Sequence, residues 1–188
     1  MKLASAIAGL LLAASATAAA AASAAGLAIA DPGLKAAHTL TVSSPRIASG
    51  GTIPDDYSSY GKNISPPLEW GKGPYGTKSF ALILEDPDAP TPVPFQHWLV
   101  WNIPAATTRI GEDALPQGAQ PGSLMMINKA AYFGPRPPAG PAHHYHIQVF
   151  ALDRQLDLKP GSDRTALVDA MKGHVLAAGE LVAAYQKK

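Results

Sequence analysis

The chain contains no cysteine. It therefore has no disulfide framework, no thiolate nucleophile and no cysteine-based zinc site. Net charge is nearly absent too, with 15 Lys+Arg against 14 Asp+Glu in 188 residues. The excess cation is Lys2, the one charged residue among residues 1–30, so residues 31–188 are formally neutral with histidine uncharged. That balance argues against a nucleic-acid partner, which needs a basic field to neutralise phosphates. There is no Gly-x-Ser-x-Gly elbow, and no serine stands out as a partner for the histidines. Nothing supports an enzyme, and no cofactor is expected. Internal repeats and disordered linkers are missing as well.

What is present is unevenly distributed. Residues 1–30 hold fifteen alanines. Lys2 forms a minimal positive start, Leu3 to Leu12 an apolar stretch, and small residues follow with A-x-A sites at Ala16-Thr17-Ala18, Ala18-Ala19-Ala20 and Ala28-Ile29-Ala30. This is the layout of a secretory signal peptide, with cleavage expected between Ala18 and Ala30 and a periplasmic or secreted product. The alternative is an uncleaved anchor, since Leu3–Ala30 carries no charge. Its second half is mostly alanine, a weak membrane partner.

Residues 31–188 hold all 18 prolines and 15 of the 17 glycines. A body of this size buries roughly two-thirds of its unfolded surface, enough for one core. Two apolar stretches, Ser79 to Leu84 and Trp98 to Ile103, predict buried strands. A third runs from Tyr145 to Leu152, with Tyr145, Ile147, Val149 and Ala151 on one face. Weaker strand candidates are Thr39–Ser43 and Leu124–Asn128. The Pro/Gly-rich stretches Pro54–Pro67, Asp86–Phe95 and Phe133–Pro141 predict loops, because proline cannot donate to a ladder. A helix is expected through Thr165–Lys172, capped by Ser162 or Asp163 and stopped at Gly173. Val175 to Tyr185 is open between a second helix and a closing strand. The expectation is a single, mainly β domain over residues 31–188.

Polar chemistry gathers where strands meet Pro-rich loops. His97, His143, His144 and His146 fall at predicted strand starts, and Asp86 and Asp88 fall where the Phe80–Leu84 strand runs out. By period two His143 and Tyr145 share one face, His144 and His146 the other, and His97 shares its face with Leu99 and Trp101. Asp86, Asp88, His97, His143 and Tyr145 would make a small polar pocket with donors suited to a phosphate or carboxylate, and Gly134 would let backbone approach the ligand. Carboxylates beside the imidazoles would favour their protonated form, so anion affinity would rise as pH falls. The rival readings are structural hydrogen bonding by each histidine, metal binding by Asp-x-Asp plus His-x-His, which fits no specific zinc motif, and metal-dependent hydrolysis. No metal site is expected.

These same residues carry a resemblance. Asp86-Pro87-Asp88-Ala89-Pro90 followed by His97-Trp98, and Gly134-Pro135-Arg136-Pro137-Pro138-Ala139-Gly140 followed by His143-His144-Tyr145, resemble the phosphatidylethanolamine-binding protein family in its bacterial Raf-kinase-inhibitor-like branch. Asn63 to Trp70, Gly173 to Ala177 and Glu180-Leu181-Val182 add flanking support, so the likeness runs from about Leu40 to Tyr185. It implies two packed antiparallel sheets with one or two short C-terminal helices. It also implies a small pocket for phosphate-like groups and phospholipid headgroups, lined by Asp86, Asp88, Pro90, His97, Gly134, Pro138, His143 and Tyr145. Some members inhibit kinases or proteases, so a protein partner is implied, and inhibition of a secreted hydrolase through the Pro-rich loops is the alternative function. A homodimer through the apolar strands is left open. His144 stands where the family commonly has arginine, and Arg136 would compensate for the lost charge.

Overall fold

The structure, a computed structural model, describes residues 26–124 and 131–188. Its frame is a six-stranded sheet in the order β1-β9-β8-β4-β5-β7, formed by β1 (His38–Thr39), β4 (Ser79–Asp86), β5 (Phe95–Pro104), β7 (Gln120–Pro121), β8 (His143–Leu152) and β9 (Val175–Tyr185). A three-stranded sheet, β2-β3-β6, combines β2 (Val42–Ser43), β3 (Leu68–Trp70) and β6 (Arg109–Ile110). The pairings are antiparallel except that β1 runs parallel to β9. The mainly β fold with two sheets is therefore as expected, with that one parallel edge added.

Ser79–Asp86 forms the central strand because every one of its residues is buried. Phe80, Leu82 and Leu84 point between the two sheets, where they meet Val42, Leu68, Trp70 and Ile110. Ala81 and Ile83 point outward into a second core with Leu34, Trp101, Phe150, Leu167 and Met171. A strand buried on both faces reads as a continuous apolar run, not an alternating one. The outer core is covered by a single α-helix among the described residues, α1 (Arg164–Met171), and by the chain around Ala28–Leu34. The Asp163 side chain accepts from the Ala166 N–H at 2.9 Å and so caps α1, which places the cap one residue beyond Ser162.

Val175–Tyr185 is a strand. Ala177, Leu181, Ala183 and Tyr185 are buried at period two and pair along the whole of β8. Its alanines favour helix locally, and sheet packing overrides that preference. The Thr39–Ser43 candidate splits into β1 and β2, which join different sheets and carry the chain from one to the other. The Leu124–Asn128 candidate lies beyond Leu124 outside the described residues. The Pro-rich stretches Pro54–Pro67, Asp86–Phe95 and Phe133–Pro141 form loops, the first with a single 3-10 turn at Asp55–Tyr57.

Two register shifts bend the β4–β5 pair. One lies near Asn102, whose φ is 55°. In the other, Leu84 faces Trp98 and Glu85 faces Gln96, so His97 is the extra residue of a β-bulge.

Adjacent residues of β4 should serve separate cores. Leu82→Ala should cost about 3 kcal/mol and Ile83→Val about 1 kcal/mol. Urea unfolding of the double variant should return the sum within about 0.5 kcal/mol, because the two side chains belong to separate core clusters. Strong coupling between them would contradict the two-core arrangement.

Candidate functional site

The His97 bulge decides the geometry. Strict alternation along β5 would send His97 to the outer core with Leu99 and Trp101. The extra residue re-aims it, which is a recurrent use of bulges near binding sites. Its ring lies flat against Phe133 with centroids 5.8 Å apart, meets the edge of Tyr145 at 5.2 Å, and packs on Phe95 at 4.9 Å. The expected shared face with Leu99 and Trp101 is thus corrected by one inserted residue.

His97, His143 and Asp86 then open onto a cavity of about 330 Å³ between the 86–95 and 133–138 loops. Ala89, Pro90, Phe95, Phe133, Pro137 and Pro138 make its walls, with Thr91 and Arg136 also at the lining. Five expected site residues therefore converge: Asp86, Pro90, His97, Pro138 and His143.

Three others do other work. The Asp88 carboxylate accepts from the backbone N–H of His144 at 2.7 Å and bonds its Nδ1 at 2.8 Å. It lies in the turn beyond β4 and pins the start of β8 through His144, which faces away from His143. Tyr145 is fully buried behind His97 and does not reach the lining. Burial first, and then the nearby Asp86 carboxylate, raise its pKa well above the usual phenol value, so it stays protonated. Its hydroxyl nevertheless makes no hydrogen bond of normal geometry. Gly134 approaches protein, not ligand. A Cβ there would lie 2.3 Å from the Tyr57 carbonyl oxygen, so only glycine lets the 133–138 loop sit on residues 57–58.

That loop is held along its length. The Gly134 N–H donates to Asn63 Oδ1 at 2.8 Å, Ser59 N–H to the Pro135 carbonyl at 3.0 Å, and the Tyr60 hydroxyl to the Pro137 carbonyl at 2.8 Å. The Phe95 and Phe133 walls were not anticipated from sequence. Their signal was an aromatic residue flanking each Pro-rich stretch.

Protonation follows from the bonds. Asp86 is almost fully buried and accepts three: the Asp88 and Ala89 N–H groups at 2.9 and 3.1 Å on Oδ1, and His143 Nδ1 at 2.8 Å on Oδ2. A carboxylate accepts, so His143 Nδ1 carries the hydrogen and Nε2 is the ring atom left for a ligand. His97 Nδ1 likewise donates to the Phe133 carbonyl at 2.7 Å, leaving Nε2 as an acceptor. Burial lowers the His97 pKa from 6.5 to about 4, outweighing the Phe133 carbonyl and Asp86, both of which raise it. His97 is therefore neutral near pH 7, contrary to the expectation of a protonated imidazole at both positions. The His-x-His alternative is not assembled: His144 bonds Asp88, and His146 bonds Glu180 at 2.8 Å. Among the described residues no cluster of three or more His, Asp or Glu side chains is arranged to hold a metal ion.

Because the folded chain resists protonating His97, this group stabilises the fold fully above pH 6.5 and progressively less as pH falls towards 4. Between pH 7 and 4.5 the loss should be about 2 kcal/mol. Urea unfolding should show a smaller loss over that interval in His97→Gln; equal losses in both proteins would mean that His97 titrates normally.

The geometry has counterparts among known proteins. Residues 43–186 match the model of the family described as phosphatidylethanolamine-binding protein. A UPF0098 protein of Methanothermobacter thermautotrophicus is 43% identical over 141 residues, covering 73% of this chain and 92% of that protein. A putative phosphatidylethanolamine-binding protein homologue from Chlamydia trachomatis superposes with a TM-score of 0.74 at 33% identity, covering 81% of this chain and 100% of the other. The crystal structure of E. coli YbcL, described as a new member of the mammalian family, gives 0.75 at 32% identity over 79% and 99% of the two chains. With the family model spanning both loops of the pocket and both histidine-bearing strands, the chain belongs to the phosphatidylethanolamine-binding protein family.

Proposed function

We propose that this is an exported, non-catalytic binding protein whose pocket takes a small phosphate-like anion carrying an apolar or headgroup substituent. The carrying observation is that His143, His97 and Arg136 line one apolar-walled cavity while Asp86 is spent on His143 and two backbone amides. A carboxylate left bare would repel an anion; one accepting three bonds orients a donor for it instead.

The roles divide by chemistry. His143, its Nδ1 hydrogen held by Asp86, presents Nε2 to the ligand, and Nε2 donates to an anionic oxygen once the bound anion holds the ring with both protons. Arg136, exposed at the rim, supplies the guanidinium charge that His144, turned to the other face, does not. His97 is neutral, so its Nε2 accepts, and a singly protonated phosphate has one O–H to give it. Pro90, Phe95, Phe133 and Pro138 enclose the substituent. Prolines in both walls reduce the freedom that binding would otherwise remove.

Calorimetric titration with inorganic phosphate and with O-phosphoethanolamine tests the reading. His143→Ala should weaken both by about tenfold or more, the worth of one charge-assisted hydrogen bond. Asp88→Asn should change affinity less than about twofold, because Asp88 serves His144. Unchanged affinity in His143→Ala would place the site elsewhere.

A further inference from the structure

The outer core is closed by a segment that the family match, which starts at residue 43, does not include. Leu27, Ala28 and Leu34 are buried, with exposures of 2%, 0% and 1%. Beneath them lies Glu85, also 0% exposed, at the end of the central strand. The Glu85 carboxylate accepts from Arg164 Nε, from Gln148 Nε2 at 2.8 Å and from the Ala28 backbone N–H at 3.0 Å. Gln148, equally buried, accepts the Ile29 N–H at 2.6 Å, and Arg164 donates from its outer nitrogen to the Gly26 carbonyl at 2.7 Å. Three of the contacts in this polar cluster thus run to backbone atoms of residues 26–29.

A buried carboxylate and a buried amide need their partners, because an unsatisfied group costs more than a made bond gains. Loss of residues 26–29 would open Glu85 and Gln148 to partial solvation and uncover Leu34. The segment begins at Gly26 with φ +86°, and a Cβ there would press on Pro94 at 3.2 Å, so glycine suits both the turn and the contact.

We propose that Gly26–Leu34 is a permanent strap of the folded domain and not the tail of the leader, so that cleavage lies upstream of Gly26. The Ala28-Ile29-Ala30 site then sits inside the fold, with Ala28 buried and two of its backbone amides bonded to the cluster. A cut after Ala30 would remove the backbone partners of Glu85, Gln148 and Arg164 together with the buried Leu27 and Ala28. The cleavage half rests on the export reading; the strap half does not.

Two chains separate them. A protein beginning at Gly26 should melt like the full exported product, whereas one beginning at Asp31 should melt lower by roughly 10 °C, from lost burial and unpartnered polar groups. A difference under about 2 °C would overturn the strap. Should the shorter chain fail to fold, amide exchange in the longer one decides: Ala28 and Ile29 should exchange slowly with the core strands, and exchange at unfolded-chain rates would overturn the proposal. N-terminal sequencing of the exported protein should start at or before Gly26, and a start at Leu27 or later would overturn the cleavage half. Retention of Met1 would count against export while leaving the strap to stand on the melting result.

Discussion

Two neighbouring carboxylates, Glu85 and Asp86, sit at the end of a strand buried on both faces, and each must be paired where it lies. Alternation sends them to opposite sides of the sheet. Glu85 turns to the outer core and is met by Arg164, Gln148 and the Ala28 amide. Asp86 turns to the inner side and is met by His143 and the first two amides of the following turn. The need to pair Glu85 fixes what covers the outer core, and the need to pair Asp86 fixes which histidine faces the pocket and through which nitrogen. Both demands come from one dipeptide in the central strand.

The pocket's electrostatics are local for the same reason. Residues 31–188 are formally neutral, so no net charge sets the field around the cavity. The polarity that is there comes from hydrogen-bond direction. Asp86 fixes one imidazole by accepting from it, and the Phe133 carbonyl fixes the other. The two histidines then differ in kind: His143 stands against a carboxylate at the margin of the cavity, while His97 is buried among aromatic rings and driven neutral. The rings are thus distinct in surroundings, although each holds its Nδ1 hydrogen against a protein oxygen.

Much of this was legible in the residues. Ser79 to Leu84 announced a strand buried on both faces by its unbroken apolar run, and Ser162-Asp163 announced the start of α1, with Asp163 the residue that caps it. Asp86, His97 and His143 were marked as a group by their position between Pro-rich loops and strands. Other features could not be read locally. Val175–Tyr185 is rich in alanine, and only pairing with β8 made it a strand. Asp88 and Gly134 belong to the same motifs as the lining residues, yet one turns to His144 and the other to Tyr57. A motif records which residues travel together, not which way each one points.

The sequence by itself determined the chemistry available: no thiol, no excess charge, apolar strands between proline-stiffened loops, and acids and histidines at their junctions. Those follow from composition and short-range spacing, which act without regard to the rest of the chain. Only the tertiary structure decided how that chemistry was divided. A single inserted residue at His97 reversed the direction that alternation predicts, and burial then removed its charge. Both effects arise from groups far apart in sequence, Phe133 and Tyr145 among them, that meet only when the sheet closes.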